Sequence, residues 1–200
     1  MLNIRSLSFS YGKKAVLNNL SLSVKRGEIV ALMGESGCGK STLLNLIAGL
    51  YKPTDGTIEC HAKKISYAFQ EPRLFPWLTV SQNLAAVLPK DKANDARICE
   101  VLKKVGLADA GELYPEELSG GMKSRASLAR ALLYGGDLFL FDEPFAALNE
   151  ELRTELSKLL RAELKARNAT AIVVTHQLSD ARLLADRVLT LQVRKPTQPS

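Results

Sequence analysis

The sequence predicts an α/β fold with a mainly parallel core sheet, an N-terminal antiparallel β subdomain and a small inserted helical subdomain. Three continuously apolar runs, EIVALM (28–33), DLFLFDEP (137–144) and TAIVVTH (170–176), are typical of strands buried on both faces. Helical patterns separate these runs, and alternating strands and helices indicate a parallel sheet. The first third instead alternates apolar and polar residues, whereas the region after about residue 79 spaces its apolar residues three and four apart.

The elements follow in chain order. Antiparallel strands with one buried face are predicted for LNIRSLSFSY, VLNNLSLSV and the stretch from Thr57 to Ile65. EIVALM is followed by a glycine loop and then by the helical pattern KSTLLNLIAGL. The inserted helical subdomain is predicted for about 79–135. The later elements are the strand DLFLFDEP, the long helix EELRTELSKLLRAELKARN, the strand TAIVVTH, the short helix DARLLADRV and the strand VLTLQV. We expect one domain over 1–193 and a frayed polar tail over 194–200.

Composition limits the classes of protein. With 200 residues, 46% of them hydrophobic and 24% charged, the chain is long enough for a globular core. The net charge of +6 could suit nucleic acid, an anionic membrane surface or an anionic ligand, but Lys and Arg are scattered between acids, so the charge favours none of them. No nucleic-acid partner is expected. Cys38, Cys60 and Cys99 form no C-x-x-C pair, which argues against disulfides or a zinc site and for reduced, cytosolic thiols. No signal-peptide core or run of about 18 apolar residues occurs, so a separate subunit would have to span any membrane involved.

The glycine loop GESGCGKS (34–41) has the spacing of a phosphate-binding loop. Gly34, Gly37 and Gly39 let successive backbone N–H groups point at phosphate, Lys40 supplies a charge, and Ser41 offers a hydroxyl to Mg²⁺. The alternative is a glycine-rich turn that caps a helix, but the preceding apolar strand favours phosphate binding. The remaining expected nucleotide contacts are Glu35, Ser36, Cys38 and Thr42.

Polar residues also follow three other strands. Asp142 and Glu143 end FLFDE, where Asp142 can reach the Mg²⁺ shell and Glu143 can polarise a water beside the γ-phosphate. Acids at this point could instead cap the next helix. His176 ends TAIVVTH and can contact the γ-phosphate, although a lone histidine is usually structural. Gln70, after ISYAF, can touch both the metal shell and the attacking water.

Two further features suggest contacts beyond the phosphates. Tyr11 ends the first strand and could stack on a purine, although tyrosine in a strand is more often a packing residue. EPRLFPWLTV, with apolar residues from Phe75 to Leu78 between prolines, is either core or a docking surface.

A second helix start poses a question, because LSGGM (118–122) looks like a turn opening a helix. Such an end presents free N–H groups suited to phosphate. One bound nucleotide does not need two such sites.

Together these motifs resemble the nucleotide-binding subunit of an ABC transporter, with an ABC-type P-loop NTPase fold over 1–193. GESGCGKST resembles Walker A, Gln70 the Q-loop, LSGGM the signature LSGGQ, LFLFDEP Walker B, His176 the switch histidine and Tyr11 the A-loop. The resemblance implies ATP and Mg²⁺, with Ser41, Gln70 and Asp142 near the metal and Glu143, His176 and Gln70 catalytic. It also implies a head-to-tail homodimer in which Ser119, Gly120 and Gly121 of one chain contact ATP held by the other, which accounts for two helix starts.

Within the family, FQEPRLFPWLTV and LSGGM resemble the importers of nitrate, sulfonates, taurine and thiamine precursors. The resemblance implies a membrane permease docked near Phe75–Leu78, an extracytoplasmic solute-binding protein and a peripheral position on the cytoplasmic face of the membrane. The transported solute is not encoded in this chain.

Three positions depart from the family pattern. Met122 replaces the signature Gln, Asn149 stands in place of the D-loop Asp, and Gln177 follows the histidine where Asp is usual. Asn149 keeps hydrogen bonding but loses charge. Two alternatives to the importer ATPase therefore remain: a soluble ABC ATPase that remodels a macromolecule, and a hydrolysis-impaired regulatory subunit.

Overall fold

The structure of the chain is a computed structural model that describes residues 1–89, 91 and 94–191. The expected polar tail over 194–200 and the last residues of the predicted strand VLTLQV lie outside the described residues. None of the described helices is long and apolar enough to cross a membrane.

The N-terminal region forms a three-stranded antiparallel sheet in the order β2-β1-β4. It consists of β1 (Leu2–Tyr11), β2 (Lys14–Val24) and β4 (Asp55–Cys60). The buried residues Leu2, Ile4, Leu7 and Phe9 of β1 join one core cluster, because an irregularity between Ile4 and Leu7 keeps both pairs on the same face. The predicted one-sided burial is therefore present. Tyr11 is the last residue of β1, the middle strand of this sheet.

The central sheet is parallel throughout, in the order β5-β6-β7-β3-β8, which confirms the predicted core. Its strands are β3 (Ile29–Met33), β5 (Ile65–Ala68), β6 (Leu138–Asp142), β7 (Thr170–Val174) and β8 (Arg187–Thr190). All residues of β6 and β7 are buried, as their unbroken apolar character requires. The carboxyl ends of these strands meet at one edge of the sheet, where the candidate site lies.

One strand prediction was right for Thr57 to Cys60, which pair antiparallel with β1, and wrong for its extension to Ile65. The stretch from Thr57 to Ile65 is not a single antiparallel segment, because β4 ends at Cys60 and Ile65 begins β5 of the parallel sheet. The backbone N–H of Asp137 donates to the Lys64 carbonyl oxygen, so the chain is drawn alongside β6 at that point. Apolar alternation reports which face is buried but not which strand will be the neighbour.

Six α-helices flank the sheets in the described part of the chain: α1 (Lys40–Ile47), α2 (Val80–Ala85), α3 (Asn94–Lys104), α4 (Gly120–Tyr134), α5 (Glu150–Ala166) and α6 (Leu178–Leu184). Two 3₁₀ turns, Ala108–Ala110 and Pro115–Glu117, lie between α3 and α4. Helices α2, α3 and α4 lie between β5 and β6 in the sequence and pack on one another. Their apolar faces join the same core cluster as Phe139, Phe141 and Val173 of the central sheet. The helical insertion is therefore anchored on the sheet that carries the candidate site.

Candidate functional site

The glycine loop connects β3 to α1 with backbone conformations that other residues rarely adopt. Gly34 has φ 148°, and a Cβ there would lie 2.5 Å from the Leu191 carbonyl oxygen and 2.8 Å from Cys38 Sγ. Gly39 has φ 100° and directly precedes α1, whose start has no side-chain cap. The loop therefore presents the N-terminal backbone amides of α1 to the cleft, an arrangement that suits an anion.

Lys40 is held under this loop by its own backbone. Its Nζ donates to the carbonyl oxygens of Gly34 and Glu35, both at 2.8 Å, and its side chain is almost entirely buried. The third ammonium donor faces Cys38 Sγ at 3.8 Å, a weak acceptor. The contacts fix the positive charge within the loop rather than letting it extend into solvent.

Asp142 and Ser41 form a compact group of oxygen ligands beside the loop. Asp142 is 4% exposed, and its Oδ1 has no hydrogen-bond partner among the described residues. Burial raises the pKa of its carboxyl above the ordinary value of 3.8, and the hydrogen bond from Ser41 and the charge of Lys40 oppose that rise. A buried carboxylate oxygen without a partner is costly unless a cation satisfies it. A hydroxyl and a carboxylate fit Mg²⁺, which prefers oxygen ligands.

Glu143 and His176 face each other across neighbouring strand ends. Glu143 adopts φ 48°, a left-handed conformation that is uncommon for glutamate, and its N–H donates to the Val174 carbonyl oxygen at 3.0 Å. Its Oε2 lies 3.3 Å from His176 Nδ1. The tight turn thus aims the carboxylate at His176 while Asp142, one residue earlier, stays buried. Uncommon backbone conformations of this kind concentrate at functional sites.

The glycine loop, Gln70 and Glu143 meet in an open cleft of about 260 Å³, and neither Asp142 nor His176 is among the residues that line it. Its lining combines the glycine loop and α1 start with groups from three other places, namely Tyr11, Lys14, Val16, Ser36, Gly37, Gly39, Lys40, Ser41, Thr42, Gln70 and Glu143. Of the other predicted residues, Gly34, Glu35 and Cys38 lie in the loop itself, Asp142 contacts Ser41, and His176 contacts Glu143. Lys14 and Val16 were missed, because nothing in an alternating strand distinguishes cleft-lining positions.

Gln70 sits in a segment that is tied to α4. Arg130 of α4 donates to the carbonyl oxygens of Pro72 at 2.8 Å and Arg73 at 2.9 Å. Burial lowers the pKa of the Arg130 guanidinium. Arg73 has φ 46°, and its guanidinium lies 3.9 Å from the centre of the Phe69 ring. The segment after Gln70 is therefore held on both sides. No periodicity or spacing in the sequence indicates this role for Arg130.

The apolar segment after Gln70 is exposed, as the docking interpretation requires. Trp77 is 70% exposed and Phe75 is 42% exposed, with ring centroids 5.6 Å apart. Asn83 is fully buried beneath them and bonds the backbone of Phe75 in both directions, with further bonds to the carbonyl oxygens of Leu78 and Thr79. Asn83 was missed as well, because an asparagine inside a helical pattern carries no sequence signal for such a role.

The second helix start lies apart from the cleft lining. Ser119 is the N-cap of α4, and its Oγ accepts a hydrogen bond from the Met122 N–H at 3.2 Å. Ser119 and Gly120 are exposed, and neither is among the residues that line the cleft. A Cβ on Gly121 would lie 3.0 Å from the Ala147 carbonyl oxygen. The helix start therefore packs on the segment before α5 and presents its amides outward.

Asn149 and Gln177, two of the three positions that depart from the family pattern, have ordinary structural roles. Asn149 is the N-cap of α5, and its Oδ1 accepts a hydrogen bond from the Leu152 N–H at 3.0 Å. Asparagine and aspartate cap helices about equally well, so the change from the family pattern retains this contact. Gln177 precedes α6 without a side-chain cap, and its N–H donates to Thr175 Oγ1 at 3.1 Å.

A strand, a glycine loop and a helix at the carboxyl edge of a parallel sheet, with a buried acid beside the loop, define the class of P-loop nucleoside triphosphatases. Comparison with known proteins gives a narrower assignment. Residues 17–146 match the ABC transporter family. The chain is 42% identical over 196 residues to the aliphatic sulfonates import ATP-binding protein SsuB of Albidiferax ferrireducens, covering 94% of this chain and 70% of that protein.

Other relatives and solved structures agree. SsuB 1 of Streptomyces avermitilis is 45% identical, over 94% of this chain and 72% of its own length. A dimeric post-hydrolysis structure of the ATP-binding cassette MJ0796 bound to ADP and Pi has a TM-score of 0.87 and 30% identity, and covers 96% of this chain and 94% of that one. The chain therefore belongs to the ABC transporter family. It is an ATP-binding subunit that hydrolyses ATP.

Proposed function

We propose that the chain energises solute import through a separate membrane permease, by ATP-dependent closure of a head-to-tail homodimer followed by hydrolysis. The observation that carries the proposal is the second helix start, which is exposed and absent from the lining of its own chain's cleft. A second copy in head-to-tail orientation would bring its Ser119, Gly120 and Gly121 over the ATP in that cleft. The relatives are named as import proteins, which favours import over remodelling of a macromolecule.

ATP would occupy the cleft with its phosphates on the glycine loop and its base near Tyr11. The backbone amides from Gly34 to Thr42, including Glu35, Ser36 and Cys38, would cradle the β- and γ-phosphates, and Lys40 would neutralise part of their charge. Tyr11 is 47% exposed at the cleft, so its ring is accessible to a purine. This arrangement separates base contacts from phosphate contacts.

The residues at the γ-phosphate end have distinct proposed roles. Ser41, Asp142 and Gln70 would hold Mg²⁺, which would supply positive charge to neutralise the phosphates. Glu143 would accept the proton of the attacking water as general base, and Gln70 would help to orient that water. His176 would hydrogen-bond the γ-phosphate through Nε2, while its Nδ1 keeps the contact with Glu143.

The permease would bind the surface formed by Phe75, Pro76, Trp77 and Leu78. An exposed aromatic pair on a backbone held by Asn83 presents apolar contact area at little cost in ordering. A solute-binding protein outside the membrane would deliver the solute, and the chain itself would sit on the cytoplasmic face. Trp77 is the sole tryptophan of the sequence, so its fluorescence should shift to shorter wavelength when a co-purified permease subunit covers it.

Glu143→Gln tests the catalytic part of the proposal. The amide cannot act as a base but preserves the size of the side chain, so turnover should fall by about 100-fold or more. ATP binding should remain, and ATP should now hold the protein as a dimer in size-exclusion chromatography, whereas ADP should not. Turnover equal to that of wild type would remove Glu143 from its role, and a monomer at saturating ATP would count against closure.

A further inference from the structure

The ring of Tyr11 does not stand alone at the end of β1. Its centroid lies 4.9 Å from that of Phe9 and 5.8 Å from that of Tyr51, with interplanar angles of 90° and 87°. Phe9 and Tyr51 are nearly parallel to each other, at 5.6 Å and 12°. Tyr11 is therefore perpendicular to two other rings at once, an edge-to-face geometry that aromatic pairs favour.

Tyr51 comes from a different part of the chain, beyond the end of α1. The backbone near it is tied to β1, because the Thr54 N–H donates to the Ser8 carbonyl oxygen at 2.9 Å and the Ser10 N–H donates to Thr54 Oγ1 at 3.3 Å. The neighbouring side chain of Tyr11 raises the pKa of the Tyr51 phenol. Tyr51 is thus held near β1 by the backbone around it and contacts Tyr11 through its ring.

The position of Tyr11 explains why contacts with neighbouring rings would help it to bind a base. A half-exposed tyrosine at a strand end could occupy several rotamers, and fixing one of them on ligand binding costs conformational entropy. Phe9 is buried within the antiparallel sheet and contacts one side of Tyr11. Tyr51, at 38% exposed, supplies the second contact, and it is not among the residues that line the cleft.

We propose that Tyr51 is a positioning residue for recognition of the nucleotide base: it fixes the plane of the Tyr11 ring, so that the stacking face is preset before ATP arrives. The proposal rests on the function proposed above for Tyr11. It concerns the base alone, because Lys40 and the glycine loop are held by their own backbone contacts. Loss of Tyr51 should therefore weaken ligands that carry a base and spare ligands that are only phosphates.

The test compares ATP with inorganic tripolyphosphate, both with Mg²⁺, by calorimetric titration of the full chain. Tyr51→Leu should weaken ATP binding by about threefold to tenfold, the range that one aromatic contact represents. Tripolyphosphate affinity should stay unchanged, which also reports that the site is folded. Tyr51→Phe keeps the ring contacts and should lie closer to wild type than Tyr51→Leu. Tyr11→Ala removes the stacking ring, so its loss of ATP affinity measures the whole contribution of base stacking to binding.

Three results would overturn the proposal, and they are distinguishable. Equal weakening of ATP and tripolyphosphate by Tyr51→Leu would mean that Tyr51 supports the α1 region in general. Unchanged ATP affinity in Tyr51→Leu, with ATP selectively weakened in Tyr11→Ala, would leave Tyr11 in its role and remove Tyr51. If Tyr11→Ala itself failed to weaken ATP relative to tripolyphosphate, the stacking function of Tyr11 would be lost and the positioning role with it.

Discussion

At the scale of single residues, one backbone conformation gives two adjacent acids, Asp142 and Glu143, different surroundings. Asp142 is the last residue of β6 and shares its complete burial, whereas Glu143 takes a left-handed φ of 48° and reaches His176. The sequence predicted that both lie at a strand end. It could not predict the left-handed turn, since glutamate rarely adopts it and no glycine marks the position.

Burial of Asp142 should make it a destabilising residue in the protein without metal. Since its folded-state pKa lies above the ordinary 3.8, folding is penalised at neutral pH, and the penalty disappears where the carboxyl is protonated in both states. Asp142→Asn should therefore raise the free energy of unfolding at pH 7 in the absence of Mg²⁺. The gain should shrink as pH falls through the folded pKa and vanish below 3.8, as measured by urea unfolding at a series of pH values.

Glu155→Gln, on the exposed face of α5, is the matched control because it removes one negative charge without changing a buried site. Its stability should follow wild type at every pH. The same Asp142→Asn protein should lose Mg²⁺-dependent hydrolysis, so stability and activity would move in opposite directions. A variant that is less stable than wild type at pH 7 would show that Asp142 stabilises the fold instead.

At the scale of secondary structure, substitutions at Asn149, the N-cap of α5, test whether the absence of an aspartate there affects stability or hydrolysis. Asn149→Ala removes the hydrogen bond to the Leu152 N–H and should cost about 1 kcal/mol of stability. Asn149→Asp keeps the cap and should be close to wild type in thermal unfolding and in turnover. A large rise in turnover for Asn149→Asp would instead support the hydrolysis-impaired alternative, in which the absent charge limits catalysis.

The segment from Phe75 to Thr79 depends on one buried side chain. Asn83→Leu preserves volume but leaves several backbone groups without partners, which should cost roughly 2–4 kcal/mol. Urea unfolding measures the loss, and Asn18→Leu on the exposed face of β2 is the control, with a change expected within about 0.5 kcal/mol. If the two substitutions had similar effects, the hydrogen bonds of Asn83 would not be what holds the segment.

Elements that a local pattern defines could be predicted from the sequence, whereas contacts between residues far apart in the sequence could not. The strands feeding the glycine loop, Asp142 and His176 were predictable because each is a continuous apolar run, and parallel strands end at one edge. Arg130 and Arg73 are 57 positions apart in the sequence. Tyr51 contacts Tyr11 because the chain returns to β1 beyond the end of α1. Neither contact leaves a periodicity or spacing in the sequence, so only the assembled fold identifies them.

At the scale of the whole molecule, the cleft and the second helix start belong to one chain but serve two different nucleotides in the proposed dimer. The cleft gathers the glycine loop, Gln70 and Glu143, whereas Ser119 caps α4 outside its lining. A head-to-tail dimer is the closed arrangement that lets each surface meet its complement. Turnover of the isolated chain should therefore rise more than linearly with protein concentration, until the dimer is saturated.

Mixing two inactive variants gives the sharper test of this arrangement. Lys40→Met should prevent ATP binding but leave Ser119 intact, whereas Ser119→Arg should leave ATP binding intact and block closure on a partner. In a mixed head-to-tail dimer, the cleft of the Ser119→Arg chain faces the intact helix start of the Lys40→Met chain, so one complete site forms. Steady-state turnover should reappear on mixing and increase as the Lys40→Met chain is added to a fixed amount of the other.

The control for this mixture is a chain carrying both Lys40→Met and Ser119→Arg, which supplies neither a cleft nor a helix start. Adding it to the Ser119→Arg chain should restore nothing, because every dimer then lacks a complete site. Restoration by this double variant would reflect crowding or contaminating activity. If Ser119→Arg were already active alone, each chain would hold a complete site, and the exposed start of α4 would have no role in hydrolysis. Activity that needs one variant of each kind is expected only when ATP lies between two chains.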